Sequence, residues 1–209
     1  MSRAEVFAAV PPMPQEQRQR VFWAYDLGKN FHRGQYRDCG ERYWSHCVAV
    51  MNLLVEHGYT SYEYLVTALL HDAFEDTYLT PSLTEQVFGP DIARGLMAVS
   101  KSYGMEDPIN GRIHRLPNKT KEEYFTEIKR FGRRAAIAKC ADRIHNLSDL
   151  VGPQPDGSRW TPAKRLAQVA ETREWILPLA EMYEPRFAAK LQELCALIEA
   201  SVATEAPHG

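Results

Sequence analysis

Apolar residues recur every three to four positions through most of the chain, which is the spacing of helices that bury one face. The pattern predicts helices from Gln15 to about Phe31, from His46 to Leu54 and from Arg133 to Leu150. Apolar positions wrap a broad face of the third of these, so we expect it to be central in the fold. The remaining predicted helices are 60 to about 72, 82–88, 90 to about 101, 120–132, 162–183 and 186–203.

Strand patterns are weak in this sequence, because no run alternates between apolar and polar residues over the length of a strand. The predicted fold class is therefore all-α, a single helical bundle of about eight or nine helices. One stretch, residues 103–118, has no helical period and is basic at Arg112, His114 and Arg115. A loop of this length inside a compact domain is often functional.

Changes in periodicity divide the chain into three parts. Residues 1–14 are proline-rich and lack a helical period, so we expect a loose N-terminal arm. Residues 15–185 are expected to form one domain, and residues 186–209 a C-terminal helix and tail packed on it. Pro178 lies inside the predicted helix 162–183 and should kink that helix.

Capping boxes, in which Ser or Thr is followed three residues later by Glu, mark several helix starts. The boxes begin at Thr60, Ser82 and Thr120, and Thr161 before Pro162 is a further cap. We expect a helix to start at each of these four positions.

The overall composition excludes several classes of protein. The chain has 209 residues, 44% of them hydrophobic and 25% charged, and a net charge of −2. That charge gives no basic field for a nucleic acid. The N-terminus shows no basic region followed by an apolar run, and the sequence has no run of about 18 apolar residues. We therefore expect no signal peptide, and a cytoplasmic protein with no membrane partner. An oligomer is compatible with the sequence.

The four cysteines are expected to be reduced thiols, since their spacing matches neither a zinc pair nor a disulfide framework: Cys39, Cys47, Cys140 and Cys195.

Residues 68–77 begin apolar and end with four ionisable side chains, His71, Asp72, Glu75 and Asp76. A buried and unpaired charge costs several kcal/mol or shifts its pKa, so such a cluster needs compensation. A bound cation would provide it, with His71 and Asp72 as ligands. The alternative is a solvated helix end carrying ordinary surface acids.

Other ionisable residues lie on apolar helices in the same way. His46 and Asp142, together with His71 and Asp72, make a set of two imidazoles and two carboxylates. That set suits Mn²⁺, Fe²⁺ or Zn²⁺, and helical bundles build metal sites from facing helices. Taken alone, His46 would be interpreted as a satisfied histidine at a helix start. We interpret His145 as a packing residue, because it points about 100° away from Asn146.

The flanks of these residues carry a resemblance. Histidine, then His-Asp, then a distant Asp, all on helices, resembles the HD phosphohydrolase superfamily. Three segments are similar to the motifs of the RelA/SpoT hydrolase domain within it: Arg-Asp-Cys-Gly-Glu-Arg-Tyr-Trp-Ser-His at 37–46, Ala-Leu-Leu-His-Asp-Ala-Phe-Glu-Asp-Thr at 68–77 and Lys-Cys-Ala-Asp-Arg-Ile-His-Asn-Leu at 139–147. Residues 171–172 and 178–180 resemble the helix that closes that domain, so the resemblance covers about residues 20–185.

The resemblance implies a stand-alone alarmone hydrolase that removes the 3′-pyrophosphate from (p)ppGpp or (p)ppApp, a small-molecule nucleotide, with Mn²⁺. By the same resemblance Glu75 and Asp76 would position and deprotonate the attacking water, Arg37 would meet the phosphate or base, and Asn146 the ribose. Lys101 would add positive charge near the polyphosphate, or would instead satisfy a helix C-terminus. The implied metal ligands are His46, His71, Asp72 and Asp142.

Two acids depart from the family pattern. Asp38 stands where the family usually has a basic residue, and Asp149 where it often has threonine. An ionised carboxylate repels phosphate and accepts from an exocyclic amine, so we expect ppApp to be cleaved with an efficiency at least comparable to that of ppGpp. The same acids would favour guanine if they faced its N1 and N2 edge. Two alternatives stay open: an HD hydrolase of another nucleotide (a dNTP, a nucleoside monophosphate or NADPH), and a nucleotide sensor without catalysis.

Overall fold

A computed structural model describes residues 6, 8, 10–154 and 158–205. Within these residues the fold is all-α, as predicted, apart from one small β-hairpin. Two of the expected helices are each divided into two segments, and counting each of them once gives the upper predicted number of nine. The helices with both ends described are α1 Gln15–Phe31, α2 Tyr43–Glu56, α3 Tyr62–Leu70, α4 Ala73–Asp76, α5 Pro81–Phe88, α6 Pro90–Val99, α7 Lys121–Phe131, α8 Arg133–Ser148, α9 Pro162–Glu171, α10 Leu177–Tyr183 and α11 Pro185–Glu205.

Helix α8 is the centre of the bundle, as its broad apolar face predicts. It packs against six of the other helices: α2, α3, α6, α7, α10 and α11. Its apolar residues are almost completely buried, and even Asp142 and Arg143 on this helix are shielded from solvent. Side chains on α8 therefore face several neighbouring helices at once, which suits a helix that contributes to a site in the core.

The predicted helix through His71 and Asp72 is interrupted at those two residues. Helix α3 ends at Leu70, a turn follows, and the N–H groups of Glu75 and Asp76 restart the helix on the carbonyl of Asp72, at 3.1 and 3.0 Å. The imidazole Nδ1 of His71 binds the carbonyl of Ala68 at 2.8 Å. That carbonyl is the one residue 72 would bond in a continuous helix. The imidazole of His71 therefore takes the acceptor that would continue the helix, and the helix is interrupted at this point.

The stretch 103–118 contains a two-stranded antiparallel hairpin, contrary to the expectation of no strands. Strand β1, Gly104–Glu106, pairs with β2, Ile113–Arg115. Three residues a strand are too few to show an alternating pattern. A Cβ on Gly104 would lie 2.4 Å from Cγ2 of the exposed Ile113 side chain, so a larger residue at position 104 would have to displace that side chain.

The predicted helix starts are correct in two cases of four. Thr120 forms the complete capping box of α7, and Thr161 caps α9. Helix α3 instead starts after Ser61, without a side-chain cap bond, and Thr80 caps α5 through the N–H of Leu83. The true caps of these two helices lie one or two residues away from the predicted ones, and tertiary packing decides between such neighbours.

The helix expected over 162–183 has these bounds, but it widens into a π-helical turn at Thr172–Ile176 between α9 and α10. A wider turn before Pro178 accommodates a residue that has no N–H to donate. Helix α11 then packs on α8, α9 and α10.

Both ends of the chain are described only in part. Of the predicted N-terminal arm, residues 1–5, 7 and 9 lie outside the described residues, while Val6 and Val10 are buried in the core. Residues 206–209 of the predicted tail also lie outside. Within the described part of the chain, no helix combines the length and apolarity that a membrane crossing needs.

Candidate active site

The fold brings together the four residues that the sequence analysis selected as metal ligands. His46 lies in the first turn of α2, His71 and Asp72 form the turn between α3 and α4, and Asp142 lies on α8. One nitrogen or oxygen atom of each residue lies within 4.8 Å of those of the other three. Such a cluster from three directions is the arrangement of a mononuclear metal site in a helical core.

Both imidazoles turn their Nε2 atoms toward the cluster. His71 donates its Nδ1–H to the Ala68 carbonyl, which orients the ring so that Nε2 is the nitrogen available to a metal. The Nε2 atoms of His46 and His71 are 3.1 Å apart. They also lie close to carboxylate oxygens, at 3.2 Å from His46 to Asp142 and 3.0 Å from His71 to Asp72. Four ligand-type atoms therefore converge on one point.

The charges in the cluster favour ionised carboxylates. Burial raises the pKa of Asp142, but Lys139, His46 and His71 outweigh burial and hold this pKa well below its usual value. The Lys139 ammonium lies 2.6 Å from Asp142 Oδ2. In Asp72, burial is likewise outweighed by the neighbouring histidines, and its pKa is also well below the usual value. Two ionised carboxylates, one buried and one half-buried, beside two imidazoles suit a divalent metal ion.

From the sequence we interpreted His145 as a packing residue, but in the structure it also makes polar contacts within the site. Its Nδ1 lies 3.0 Å from Nδ1 of His46 and 3.1 Å from Nη1 of Arg37. Arginine only donates, so His145 Nδ1 acts as the acceptor for both neighbours. Burial, followed by His46 and Arg37, lowers the pKa of His145 to about 4, so its ring is neutral. His145 thereby leaves His46 Nε2 free for the cluster and ties that histidine to Arg37.

Glu75 and Asp76 lie on the short helix α4, beside the cluster but outside the set of four. Burial raises the pKa of Glu75 despite a hydrogen bond of 2.6 Å from the Lys101 N–H to its Oε1. Burial and the charge of Asp72 raise the pKa of Asp76. A carboxylate with a raised pKa is a stronger base, so both residues are suited to accept a proton.

Tyr43 is a site residue that sequence reasoning missed. It starts α2, and its hydroxyl donates to Asp72 Oδ2 at 2.7 Å. The pKa of Tyr43 is raised first by burial and then by Asp72 and Asp76, so the hydroxyl keeps its proton and its donor role. Its position three residues before His46 was visible within the first motif, but nothing in the sequence indicated its partner.

The predicted substrate-binding residues Arg37 and Asn146 meet each other at one side of the site. Arg37 donates to Asn146 Oδ1 at 3.0 Å, while Asn146 donates to Asp142 Oδ1 at 2.6 Å. Asp149 forms an ion pair with Arg37 at 2.7 Å. A continuous set of polar contacts thus runs from Asp142 to this arginine.

Asp38 and Asp149, the two acids that depart from the family pattern, both form ion pairs within the protein. Asp149 pairs with Arg37, and Asp38 pairs with Arg159 at 2.5 Å and accepts from Trp160 Nε1 at 2.9 Å. Their charges are therefore balanced within the protein. This weakens the physical argument that connected them with adenine.

A cavity of about 910 Å³ opens beside the cluster. Its lining includes every predicted site residue except His71, which lies behind it, and continues outward to Tyr36, Trp160 and Gln154. The lining also includes Lys101, Lys139 and Arg143, with Lys139 paired to Asp142 and Arg143 paired to Glu171. At the end of α6, Lys119 donates to the Met97 and Ser100 carbonyls. The cavity thus has space for a nucleotide and side chains of both signs around it.

Curated relatives resemble this chain over most of its length. The bifunctional (p)ppGpp synthase/hydrolase SpoT of Escherichia coli (strain K12) is 34% identical over 177 residues, which are 80% of this chain and 22% of that protein. A guanosine-3′,5′-bis(diphosphate) 3′-pyrophosphohydrolase of Haemophilus influenzae is 31% identical over 163 residues, 74% of this chain and 21% of the relative. The chain spans about a fifth of the length of these relatives.

A solved structure has a similar fold and a similar size. It is described as a metazoan ortholog of SpoT that hydrolyses ppGpp and has a role in starvation responses. The TM-score is 0.69 at 25% identity, over 88% of this chain and 95% of the other. The resemblance to the RelA/SpoT hydrolase domain that the motifs indicated is confirmed.

The model of one protein family, the HD domain, matches residues 24–173. This range holds all the residues of the cluster and of α4, and it extends over well more than half of the chain. The match therefore spans the candidate site residues as well as most of the helices. The chain belongs to the HD-domain family.

Proposed function

We propose that this protein is a Mn²⁺-dependent hydrolase that removes the 3′-pyrophosphate from an alarmone of the (p)ppGpp or (p)ppApp type. The observation that carries this proposal is the convergence of His46, His71, Asp72 and Asp142 beside two acids of raised pKa. The sequence relatives and the structural neighbour that are named as ppGpp hydrolases support the substrate class.

The four clustered residues would hold the metal. A divalent ion in such a site polarises a phosphoryl oxygen and lowers the pKa of water. Glu75 and Asp76 would orient the attacking water and accept its proton as the new P–O bond forms and the bond to the ribose oxygen breaks. Tyr43 and Lys139 would keep Asp72 and Asp142 in place through the contacts at 2.7 and 2.6 Å.

The cavity also suggests how the substrate would lie. Arg37 and Asn146 would face the nucleoside, with Arg37 held by Asp149 at 2.7 Å. The 3′-diphosphate would extend toward Lys101 and Lys139, where positive charge stabilises both the substrate and the departing pyrophosphate. With Asp38 and Asp149 already paired, we have no remaining physical reason to place adenine above guanine.

The test is a substrate panel with Mn²⁺: ppGpp, ppApp, dNTPs, nucleoside monophosphates and NADPH, with released pyrophosphate, phosphate and tripolyphosphate measured separately. We expect pyrophosphate from the two alarmones. Phosphate from NADPH or a nucleoside monophosphate, or tripolyphosphate from a dNTP, with intact alarmones would assign the protein to another branch of nucleotide hydrolases.

The metal assignment has its own test. A crystal soaked with Mn²⁺ should show anomalous density within bonding distance of all four clustered residues. Density elsewhere, with these four side chains dispersed, would contradict the proposed ligand set.

A further inference from the structure

The short helix α4 cannot hold its own shape. It has only four residues, Ala73–Asp76, so the carbonyl groups of its last turn lack the N–H partners that a longer helix would supply. Unpaired carbonyl groups next to a buried site are costly. The two acids that we propose to activate water both lie on this segment, so their aim depends on what satisfies those carbonyls.

Arg115 supplies two of the missing partners from the hairpin. Its Nη1 donates to the Phe74 carbonyl and its Nη2 to the Thr77 carbonyl, both at 2.9 Å. These carbonyls stand directly before and after the pair Glu75–Asp76. The planar guanidinium reaches both at once, which a single ammonium group cannot do in the same geometry.

Gln35, in the loop between α1 and α2, supplies a third hydrogen-bond partner. Its Nε2 donates to the Asp76 carbonyl at 2.8 Å. Its Oε1 lies 2.7 Å from Nδ1 of the buried His32, which fixes the orientation of the amide. The Lys101 N–H additionally holds the Glu75 carboxylate at 2.6 Å. The segment that carries Glu75 and Asp76 is thus hydrogen-bonded both by the α1–α2 loop and by the hairpin.

We propose that Arg115 and Gln35 form a clamp that positions Glu75 and Asp76 for proton transfer, an inference that rests on the proposed hydrolase function. Both side chains bind backbone carbonyls of residues 74–77, at 2.8–2.9 Å, so both would act through the backbone of α4, and Gln35 does so from the wall of the cavity. They are positioning residues, and the hairpin that carries Arg115 is part of the catalytic architecture.

The experiment compares Arg115→Met and Gln35→Met with controls that remove the same groups nearby. Arg112→Met removes an exposed guanidinium from the same hairpin, and Gln19→Met removes an exposed amide from α1. Arg115→Lys keeps the charge but offers only one of the two hydrogen bonds. We would measure kcat and KM separately, Mn²⁺ binding, the melting temperature and amide hydrogen exchange over residues 73–77.

We expect kcat to fall about 10- to 100-fold in Arg115→Met and Gln35→Met, the usual range for residues that orient a reacting group. KM and Mn²⁺ binding should change by less than about twofold, because the cluster and Arg37 are not touched. Arg115→Lys should lie between wild type and Arg115→Met. Amides of residues 73–77 should exchange faster in both Met variants and as in wild type in both controls.

The clamp is refuted if Arg115→Met and Gln35→Met keep the kcat of their controls. It is equally refuted if their losses appear as weaker Mn²⁺ binding or a higher KM, because the residues would then have a general structural role. Failure of the proposed function is distinguishable: wild type would then cleave no alarmone, while hydrogen exchange would still report whether Arg115 and Gln35 hold the turn.

Discussion

At the scale of single residues, the division of labour between the metal cluster and the two neighbouring acids is the point most open to test. Glu75→Gln and Asp76→Asn remove a base while keeping the shape of the side chain. A general base contributes about 10²–10⁴-fold, so we expect turnover to fall within that range while the metal stays bound. Turnover and metal content would be measured on the same samples.

Either of two results would contradict this division. Near-normal turnover in both variants would show that neither acid activates water. Loss of metal would show that Glu75 or Asp76 is itself a ligand. A useful control is Glu122→Gln, which changes an exposed acid in the first turn of α7.

The sequence predicted the residues of the site better than the contacts between them. Ligand-type side chains on apolar helices are visible one by one, which is why His46 and Asp142 could be selected. The partners of these residues are distant in the chain: Tyr43 reaches Asp72 across 29 residues, and Arg37 reaches His145 across 108. Only the packing of α2 against α3 and α8 determines such pairs, and periodicity carries no information about it.

At the scale of secondary structure, junctions between helices carry polar contacts that a helical pattern does not show. Glu184 lies between α10 and α11 and accepts from Arg186 at 2.7 and 2.9 Å and from the Tyr59 hydroxyl. Arg186 also binds the His57 carbonyl at 3.0 Å. The junction is therefore fastened to the connection between α2 and α3.

This junction predicts a pH-dependent contribution to stability. Hydrogen bonds from Arg186, followed by that from Tyr59, lower the pKa of Glu184 from 4.5 to about 2. A lowered pKa in the folded state means that the ionised group stabilises the fold above about pH 4.5, and that this contribution is lost as the pH falls toward 2. Glu184→Gln should therefore melt a few degrees below wild type at pH 7, with a difference that shrinks between pH 4.5 and 3.

Thermal denaturation at several pH values measures this difference. The matched control is Glu193→Gln, which changes an exposed acid paired with Lys190 on α11. A gap between wild type and Glu184→Gln that is equally large at pH 3 and pH 7 would show that shape, not charge, stabilises the junction.

Element boundaries show where sequence patterns stop being informative. Long amphipathic helices such as α1 and α8 have the predicted extents, because their burial repeats over many turns. The break at His71–Asp72 and the hairpin could not be predicted in this way, because a few side-chain contacts determine each of them. The imidazole of His71 forms a hydrogen bond with the Ala68 carbonyl. Arg115 binds the carbonyls of Phe74 and Thr77, which lie 41 and 38 residues away in the sequence.

At the scale of the whole molecule, helix α11 is connected to the rim of the cavity by a buried arginine. The Arg165 side chain is 0% exposed, and it donates to both carboxylate oxygens of Glu205 at 2.8 and 2.9 Å. Its Nε donates to the Leu150 carbonyl at 3.1 Å. Leu150 lines the cavity and follows Asp149, the partner of Arg37. The far end of α11 is thus linked to the part of the site that we assign to the nucleoside.

The Arg173–Glu199 pair provides an internal comparison for this buried arginine. Arg173 donates from Nη1 and Nη2 to the two Glu199 oxygens, at 2.5 and 2.7 Å, whereas Arg165 reaches both Glu205 oxygens from Nη1 alone. The Arg173 pair links α11 to the π-helical turn, and its side chains are 52% and 38% exposed. Breaking a buried pair costs about 3–5 kcal/mol, while an exposed pair is worth about 0–1 kcal/mol. Only the arginine of the Arg165–Glu205 pair is buried, so Glu205 stays solvated when the pair is broken. We expect Arg165→Met to be more destabilising than Arg173→Met, because it also removes the contacts with Ser201 and the Leu150 carbonyl, while Arg173→Met should cost less than about 1 kcal/mol.

Urea denaturation of the two variants tests the energetic side, and steady-state kinetics tests the link to the site. Arg165→Met releases the Leu150 carbonyl, so Asp149 and Arg37 should be held less firmly and KM should rise. The cluster of His46, His71, Asp72 and Asp142 is not touched by Arg165, so Mn²⁺ binding should stay as in wild type. Equal costs for the two variants would show that burial of Arg165 adds nothing. An unchanged KM with the expected loss of stability would show that α11 supports the fold without reaching the nucleoside side of the cavity.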